Sequence, residues 1–284
     1  MKELRGLGTA LITPFKADKS VDYEALARLL DTQLTGSVDY IVVLGTTGEA
    51  ATMTEEEKRE VRTFIRKYVN GRLPLVLGVG GNNTAAVCES LKTIDLTGFE
   101  AILSVCPYYN KPNQEGLYQH FCAVAEASPI PVILYNVPGR TGVNLLPETV
   151  MRIYDAHPDK IAGIKEASGN VEQIKHLIDL AKDKLLVISG DDGIACEIME
   201  AGGAGLISVA SNAFPKDFYA IVHKKDQAKQ AQYDKMVKLL FKEGNPVGIK
   251  AVLAQKGIIQ NYLRLPLVPA SEELQEEIKK EMAK

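Results

Sequence analysis

Lys165 closes the apolar run Ile161-Ala162-Gly163-Ile164, and Glu166-Ala167-Ser168-Gly169 follows it at once. A primary amine at the end of a buried strand can form a Schiff base with a carbonyl substrate, because burial disfavours the ammonium form and leaves free amine as a nucleophile. The plainer use of a lysine there is to cover apolar surface with its stem and reach water with its head. Three other segments bring groups that suit the first use. Gly45-Thr46-Thr47-Gly48-Glu49 offers two hydroxyls and several backbone amides between flexible glycines, a set that can hold a carboxylate or merely turn the chain into a helix. Cys106-Pro107-Tyr108-Tyr109-Asn110-Lys111-Pro112 is a stiff tyrosine pair between prolines, suited to packing, to an oligomer contact or to catalysis. Tyr135-Asn136-Val137-Pro138-Gly139-Arg140-Thr141-Gly142 sets a phenol beside a guanidinium. The phenol can pass a proton to or from a carbinolamine, and the arginine can grip a carboxylate through two parallel hydrogen bonds. A surface ion pair is the plainer reading of Arg140.

These groups converge only if the chain places all of them at one end of one sheet. Short apolar runs alternate with longer stretches of helical periodicity. The expected strands are Leu7 to Ile12, Tyr40 to Leu44, Leu75 to Val79, Ala101 to Val105, Val132 to Tyr135, Ile161 to Lys165, Leu185 to Ser189 and Gly205 to Val209. They are rich in Val, Ile and Leu without strict alternation, as in a parallel sheet buried on both faces. Between them lie amphipathic stretches such as Tyr23 to Leu34, and Thr54 with Glu57 has the spacing of a capping box. Eight such repeats without a break in composition predict a closed (β/α)8 barrel rather than an open sheet, with function at the carboxyl ends of the strands. From about residue 217 the periodicity is helical, broken at Gly244-Asn245-Pro246 and Leu265-Pro266. The expected division is a barrel over residues 1–225 and a C-terminal helical appendage over 226–284.

Composition narrows the partners. The 284 residues are 46% hydrophobic and 24% charged, enough for a large core. With 33 basic against 36 acidic side chains the formal charge is −3 at pH 7, without the basic excess that a nucleic-acid backbone requires. Cys88, Cys106, Cys122 and Cys196 are widely spaced and read as buried free thiols in a reducing cytoplasm. The amino terminus lacks the apolar core of a signal peptide, and no apolar run reaches membrane-spanning length, so a cytoplasmic protein is expected. Gly78-Val79-Gly80-Gly81-Asn82 fails the dinucleotide spacing because Asn83 takes the third glycine position. Gly190-Asp191-Asp192-Gly193 has no Lys or Arg to hold a phosphate, and its two adjacent carboxylates point different ways with no further metal ligand nearby. His120, His157, His176 and His223 fall in helical stretches or at their ends and are expected on helix surfaces.

Taken together, Gly45-Thr46-Thr47-Gly48-Glu49, Pro107-Tyr108-Tyr109-Asn110, Tyr135-Asn136-Val137-Pro138, Arg140-Thr141-Gly142 and Gly163-Ile164-Lys165-Glu166-Ala167 resemble the dihydrodipicolinate synthase family. The resemblance runs from the first strand to Leu265-Pro266. The wider superfamily shares the barrel and a pyruvate Schiff base and includes N-acetylneuraminate lyase. The resemblance implies condensation of pyruvate with L-aspartate 4-semialdehyde to 4-hydroxy-tetrahydrodipicolinate in diaminopimelate and lysine synthesis, without metal or organic cofactor. It implies Lys165 as nucleophile, Tyr135 as proton relay, and Thr46 and Tyr109 completing that relay, with Tyr109 reaching the neighbouring subunit of a tight dimer. Thr47 is then the holder of the pyruvate carboxylate, Gly190 and Ile207 line the pocket through their backbones, and Arg140 binds the semialdehyde carboxylate. A homotetramer built as a dimer of dimers is implied as well. In lysine-inhibited relatives the effector lies at the tight-dimer interface. Tyr108 and Asn82 match that site, whereas Ala86 stands where a glutamate receives the effector's ammonium group, Ala50 replaces a serine, and Glu55 and Lys58 stand where histidines are common. Two rivals remain: another pyruvate-dependent aldolase or lyase such as N-acetylneuraminate lyase, against which Arg140 argues, and a catalytically silent sensor homologue, against which Lys165 and Tyr135 argue.

Overall fold

The computed structural model describes residues 4–284; residues 1–3, part of the amino-terminal stretch considered above, lie outside the described residues. All eight expected strands form: β1 Gly6–Ala10, β2 Tyr40–Val43, β3 Leu75–Gly78, β4 Ala101–Val105, β5 Val132–Asn136, β6 Ile161–Glu166, β7 Leu186–Ser189 and β8 Gly205–Ser208. They pair in parallel in sequence order, and β8 returns to β1 to close the barrel. Strand ends differ from expectation by a few residues. Ile12, expected in β1, gives its amide to the Asn212 side chain instead, at 3.1 Å. At the other extreme, β6 runs one residue past Lys165, because Glu166 still pairs with Asn136 and Ser189.

Two apolar cores result. The inner one fills the barrel and includes Tyr40, Val42, Leu103, Ile133, Tyr135, Ile188 and Ile207. Gly8 makes room for Tyr40 there, since a Cβ at Gly8 would lie 2.2 Å from its ring. The outer core lies between the strands and the helices. The helix Tyr23–Thr35 shows how the ring is pinned: Asp22 caps the amide of Ala25, and Leu26, Leu29 and Leu30 are buried on one face. The helix Glu55–Val69 begins with the expected capping box, in which Thr54 Oγ1 accepts from the Glu57 amide at 3.2 Å and Glu57 accepts from the Thr54 amide at 2.9 Å. That box fixes the chain leaving the Gly45–Glu49 loop.

After the barrel helix Pro215–Lys224, the helices Gln227–Phe241, Val247–Gln255 and Glu272–Met282 pack on one another. The expected breaks at Gly244-Asn245-Pro246 and Leu265-Pro266 fall between them. Two expectations need correction. His120 is not on a helix surface: it is buried, its Nδ1 bonded to Thr84 Oγ1 at 2.8 Å, and burial pushes its pKa down to about 4. It shares the buried face of the helix Gln114–Ala127 with Leu117, Phe121 and Val124. Of the four free thiols only Cys106 and Cys196 are buried, while Cys88 and Cys122 are half-buried.

Candidate active site

Tyr135, Lys165 and Ile188 stand side by side across β5, β6 and β7. Lys165 and Tyr135 are each only 6% exposed, and the lysine Nζ lies 4.4 Å from the centre of the tyrosine ring. That is cation–π range. Because side chains alternate along a strand, Glu166 turns away from the barrel interior into the helical layer. There it is fully buried and accepts from Asn136 Nδ2 at 2.9 Å, Gln173 Nε2 at 3.2 Å and the Ser168 amide at 2.7 Å. Burial raises its pKa, and these donors oppose the rise. Gly190 sits at the end of β7, where a Cβ would come within 3.0 Å of Lys165 Cε and 2.6 Å of Ala167 Cβ. Only glycine leaves the lysine stem its space. Ile207 is fully buried in the inner core. Beside it, Asp192 accepts from Ser208 Oγ and from the amides of Val209 and Ala210, and burial pushes its carboxyl up to about 6.

Above this floor opens a cavity of about 600 Å³ lined by Thr46, Tyr135, Val137 and Arg140 and extending past Ala50, Glu55, Lys58 and Tyr108. Lys165 stands against the Tyr135 ring and is not itself part of that wall. Lys58, Arg62 and Arg140 face one acid, Glu55, in the lining, so the wall is net positive and suits an anionic substrate. Thr47 is buried and bonded to Asn245 Nδ2 at 2.9 Å, while Thr46 is exposed. Among the described residues the Arg140 guanidinium bonds to the Asn245 carbonyl, at 3.3 Å, which leaves most of its donors free. Among the described residues Arg140 forms no ion pair.

Tyr109 does not join this chain's pocket. It is 89% exposed, in a left-handed conformation with φ 75°, and its amide reaches the Thr141 carbonyl at 3.4 Å. Asn82 steadies the same loop by donating to the Tyr108 carbonyl at 3.0 Å, and Glu55 pairs with Lys58 at 2.8 Å. Ala86 is exposed at the start of the helix Thr84–Thr93.

A model of the "Dihydrodipicolinate synthetase family" matches residues 3–284. The chain belongs to that family. It is 51% identical over 273 residues to the 4-hydroxy-tetrahydrodipicolinate synthase of Parabacteroides distasonis, covering 94% of this chain and 92% of the relative. It is also 51% identical over 281 residues to the same enzyme of Flavobacterium psychrophilum, covering 96% of each. The solved dihydrodipicolinate synthase of Thermotoga maritima superposes with a TM-score of 0.94 at 40% identity, covering 98% of this chain and 97% of that one.

Sequence reasoning missed the part that closes the site from the far end of the chain. Glu49 forms a fully buried ion pair with Lys250 and accepts from the Arg264 amide at 3.1 Å, and Arg264 also pairs with Glu57. Lys250 and Arg264 both lie over the Phe15 ring, at 4.2 and 4.4 Å. The available signal was Lys250 itself, a lone cation among Val247, Ile249, Ala251, Val252 and Leu253.

Proposed function

We propose that this chain condenses pyruvate with L-aspartate 4-semialdehyde, with Lys165 as the Schiff-base nucleophile. The observation that carries the reading is the pairing of Lys165 with Tyr135 beneath a cationic cavity, in a chain of this family. The Lys165 amine adds to the pyruvate carbonyl, and loss of water from the carbinolamine gives an imine. The protonated imine draws electrons, so the methyl group releases a proton and becomes an enamine. That carbon forms the new bond to the semialdehyde's aldehyde carbon. The semialdehyde's amino group then attacks the imine carbon, closing the ring and expelling the Lys165 amine with 4-hydroxy-tetrahydrodipicolinate. The lysine is its own electron sink. Tyr135 carries protons to and from the carbinolamine, with Thr46 beside it in the lining. Thr47 holds the pyruvate carboxylate, and the ends of β7 and β8 at Gly190 and Ile207 shape the floor.

Tyr109 completes the relay in a second copy of the chain, a role its exposed ring supports. We read the assembly as a homotetramer, a dimer of dimers, acting in the cytoplasm. Among the described residues no helix is long and apolar enough to cross a membrane.

Arg140 binds the semialdehyde carboxylate. Arg140→Ala is expected to lower kcat/KM for the semialdehyde on the order of 100-fold while pyruvate still forms its imine, because only the second substrate loses a charge-assisted partner. Steady-state kinetics beside borohydride trapping measure both. Equal loss in the two would make Arg140 a structural residue.

Lysine is expected to inhibit weakly or not at all. Ala86 offers no carboxylate to an ammonium group, and Glu55 is already paired with Lys58. A missing charge-assisted bond of about 1.5 to 3 kcal/mol weakens binding roughly ten- to a hundredfold. An inhibition curve at saturating pyruvate tests this, and half-inhibition at submillimolar lysine would overturn it.

A further inference from the structure

The two groups assigned above to substrate carboxylates, Thr47 and Arg140, lie on different loops of the barrel, yet both bind one residue of the C-terminal region. Asn245 Nδ2 donates to Thr47 Oγ1 at 2.9 Å, and the Asn245 carbonyl accepts from Arg140 Nη2 at 3.3 Å. We propose that Asn245 is a positioning residue that aligns both carboxylate-binding groups, its amide setting Thr47 and its carbonyl setting Arg140. This rests on the roles proposed for those two residues.

The chemistry follows from the donors and acceptors. A threonine hydroxyl has one proton and two lone pairs. With a lone pair occupied by Asn245 Nδ2, the single proton of Thr47 is free to be donated to a carboxylate. Without Asn245 that lone pair loses its donor, and the buried hydroxyl is no longer held with its proton toward the substrate. Arg140 is exposed and long, so a fixed carbonyl on one of its nitrogens restricts the rotamers it samples before substrate arrives. Asn245 is itself only 7% exposed, and among the described residues its Oδ1 has no hydrogen-bond partner. A buried acceptor without a protein partner is open to a hydrogen bond from a ligand or a water in the site.

The placement is also rigid. Beyond Asn245, the helix Val247–Gln255 carries Lys250, whose ion pair with Glu49 grips the other end of the Thr46-Thr47 loop. The C-terminal region thus holds the loop at its middle, through Thr47, and at its far end, through Glu49.

The test uses Asn245→Asp, which keeps size and backbone but replaces the Nδ2 donor with an acceptor. Thr47 must then turn its proton toward residue 245. The expected result is a rise of about 10- to 100-fold in the pyruvate concentration that half-saturates borohydride trapping, with KM for the semialdehyde changed less than about threefold, because the Asn245 carbonyl remains. Asn245→Ala, combined with Thr47→Val, gives an independent reading. If Asn245 acts through the Thr47 hydroxyl, adding Asn245→Ala to Thr47→Val raises pyruvate half-saturation less than about twofold further. Additive effects, or an unchanged half-saturation in Asn245→Asp, would overturn the proposal. So would equal loss for both substrates accompanied by a lower Tm, the signature of a merely structural residue. Failure of the unsubstituted protein to trap pyruvate at all would count instead against the Lys165 reading on which this one stands.

Discussion

Borohydride added with pyruvate is expected to leave a stable covalent adduct on the chain, with peptide mapping placing it at Lys165. Reduction makes the transient imine permanent, so intact mass reads the chemistry and the map reads the residue. Lys165→Ala removes both the adduct and turnover, lowering kcat on the order of 10³-fold or more, since no other group supplies the covalent route. The sharpest competitor is Lys250, whose amine burial pushes down to about 8 despite the Glu49 carboxylate that opposes the shift. Geometry decides between them. Lys250 is fully buried, its Nζ bound to Glu49 and to the Tyr262 carbonyl at 3.0 Å, so no carbonyl substrate reaches it. An unchanged mass, or an adduct on any lysine other than Lys165, would refute the mechanism.

Lys250 has a different expected phenotype. Lys250→Met strands the Glu49 carboxylate without its cation in a site that is 1% exposed. Removing one partner of a buried pair costs about 3–5 kcal/mol, far more than the pair adds over a well-packed apolar replacement. For a chain of this size that lowers Tm by on the order of 6 to 20 °C. The Arg264 amide still bonds Glu49 and moderates the loss without replacing a charge. Calorimetric unfolding checks it, and a fall of less than about 2 °C would mean that Glu49 is protonated or hydrated once Lys250 is gone.

The barrel was legible because a parallel strand buried on both faces writes itself as a continuous apolar run, and eight such runs stand out between amphipathic stretches. The candidate rim was legible because Tyr135 and Lys165 end such runs, Thr46 and Thr47 come just after one, and Arg140 stands in the short loop beyond Tyr135. The ends of the runs were less so, since Ile12 looks like a strand residue while its amide belongs to Asn212, 200 positions away. Local pattern holds no trace of a bond at that separation. His120 was recoverable, as its spacing from Leu117, Phe121 and Val124 puts it on the buried stripe, but a polar residue type outweighed its position. Asn245 was hidden most thoroughly: between Gly244 and Pro246 it reads as turn punctuation, and only the folded chain sets it against Thr47. The conformations of Glu49 and Tyr109, left-handed at φ 54° and 75°, are likewise imposed by the fold rather than chosen by residue type.

The bond between Thr47 and Asn245 joins residues 198 positions apart, and the one from Arg264 to Glu49 spans 215. A chain emerging from the ribosome exposes its second strand and the threonine loop long before their partners exist. Barrel strands can pair with their neighbours as they appear, but the loop proposed to receive pyruvate has nothing to close against until the helix of Lys250 has been made. Synthesis in this order puts the scaffold before the proposed carboxylate site, and a nascent barrel with Lys165 already in place still lacks the bonds from Asn245, Lys250 and Arg264 that clasp the threonine loop.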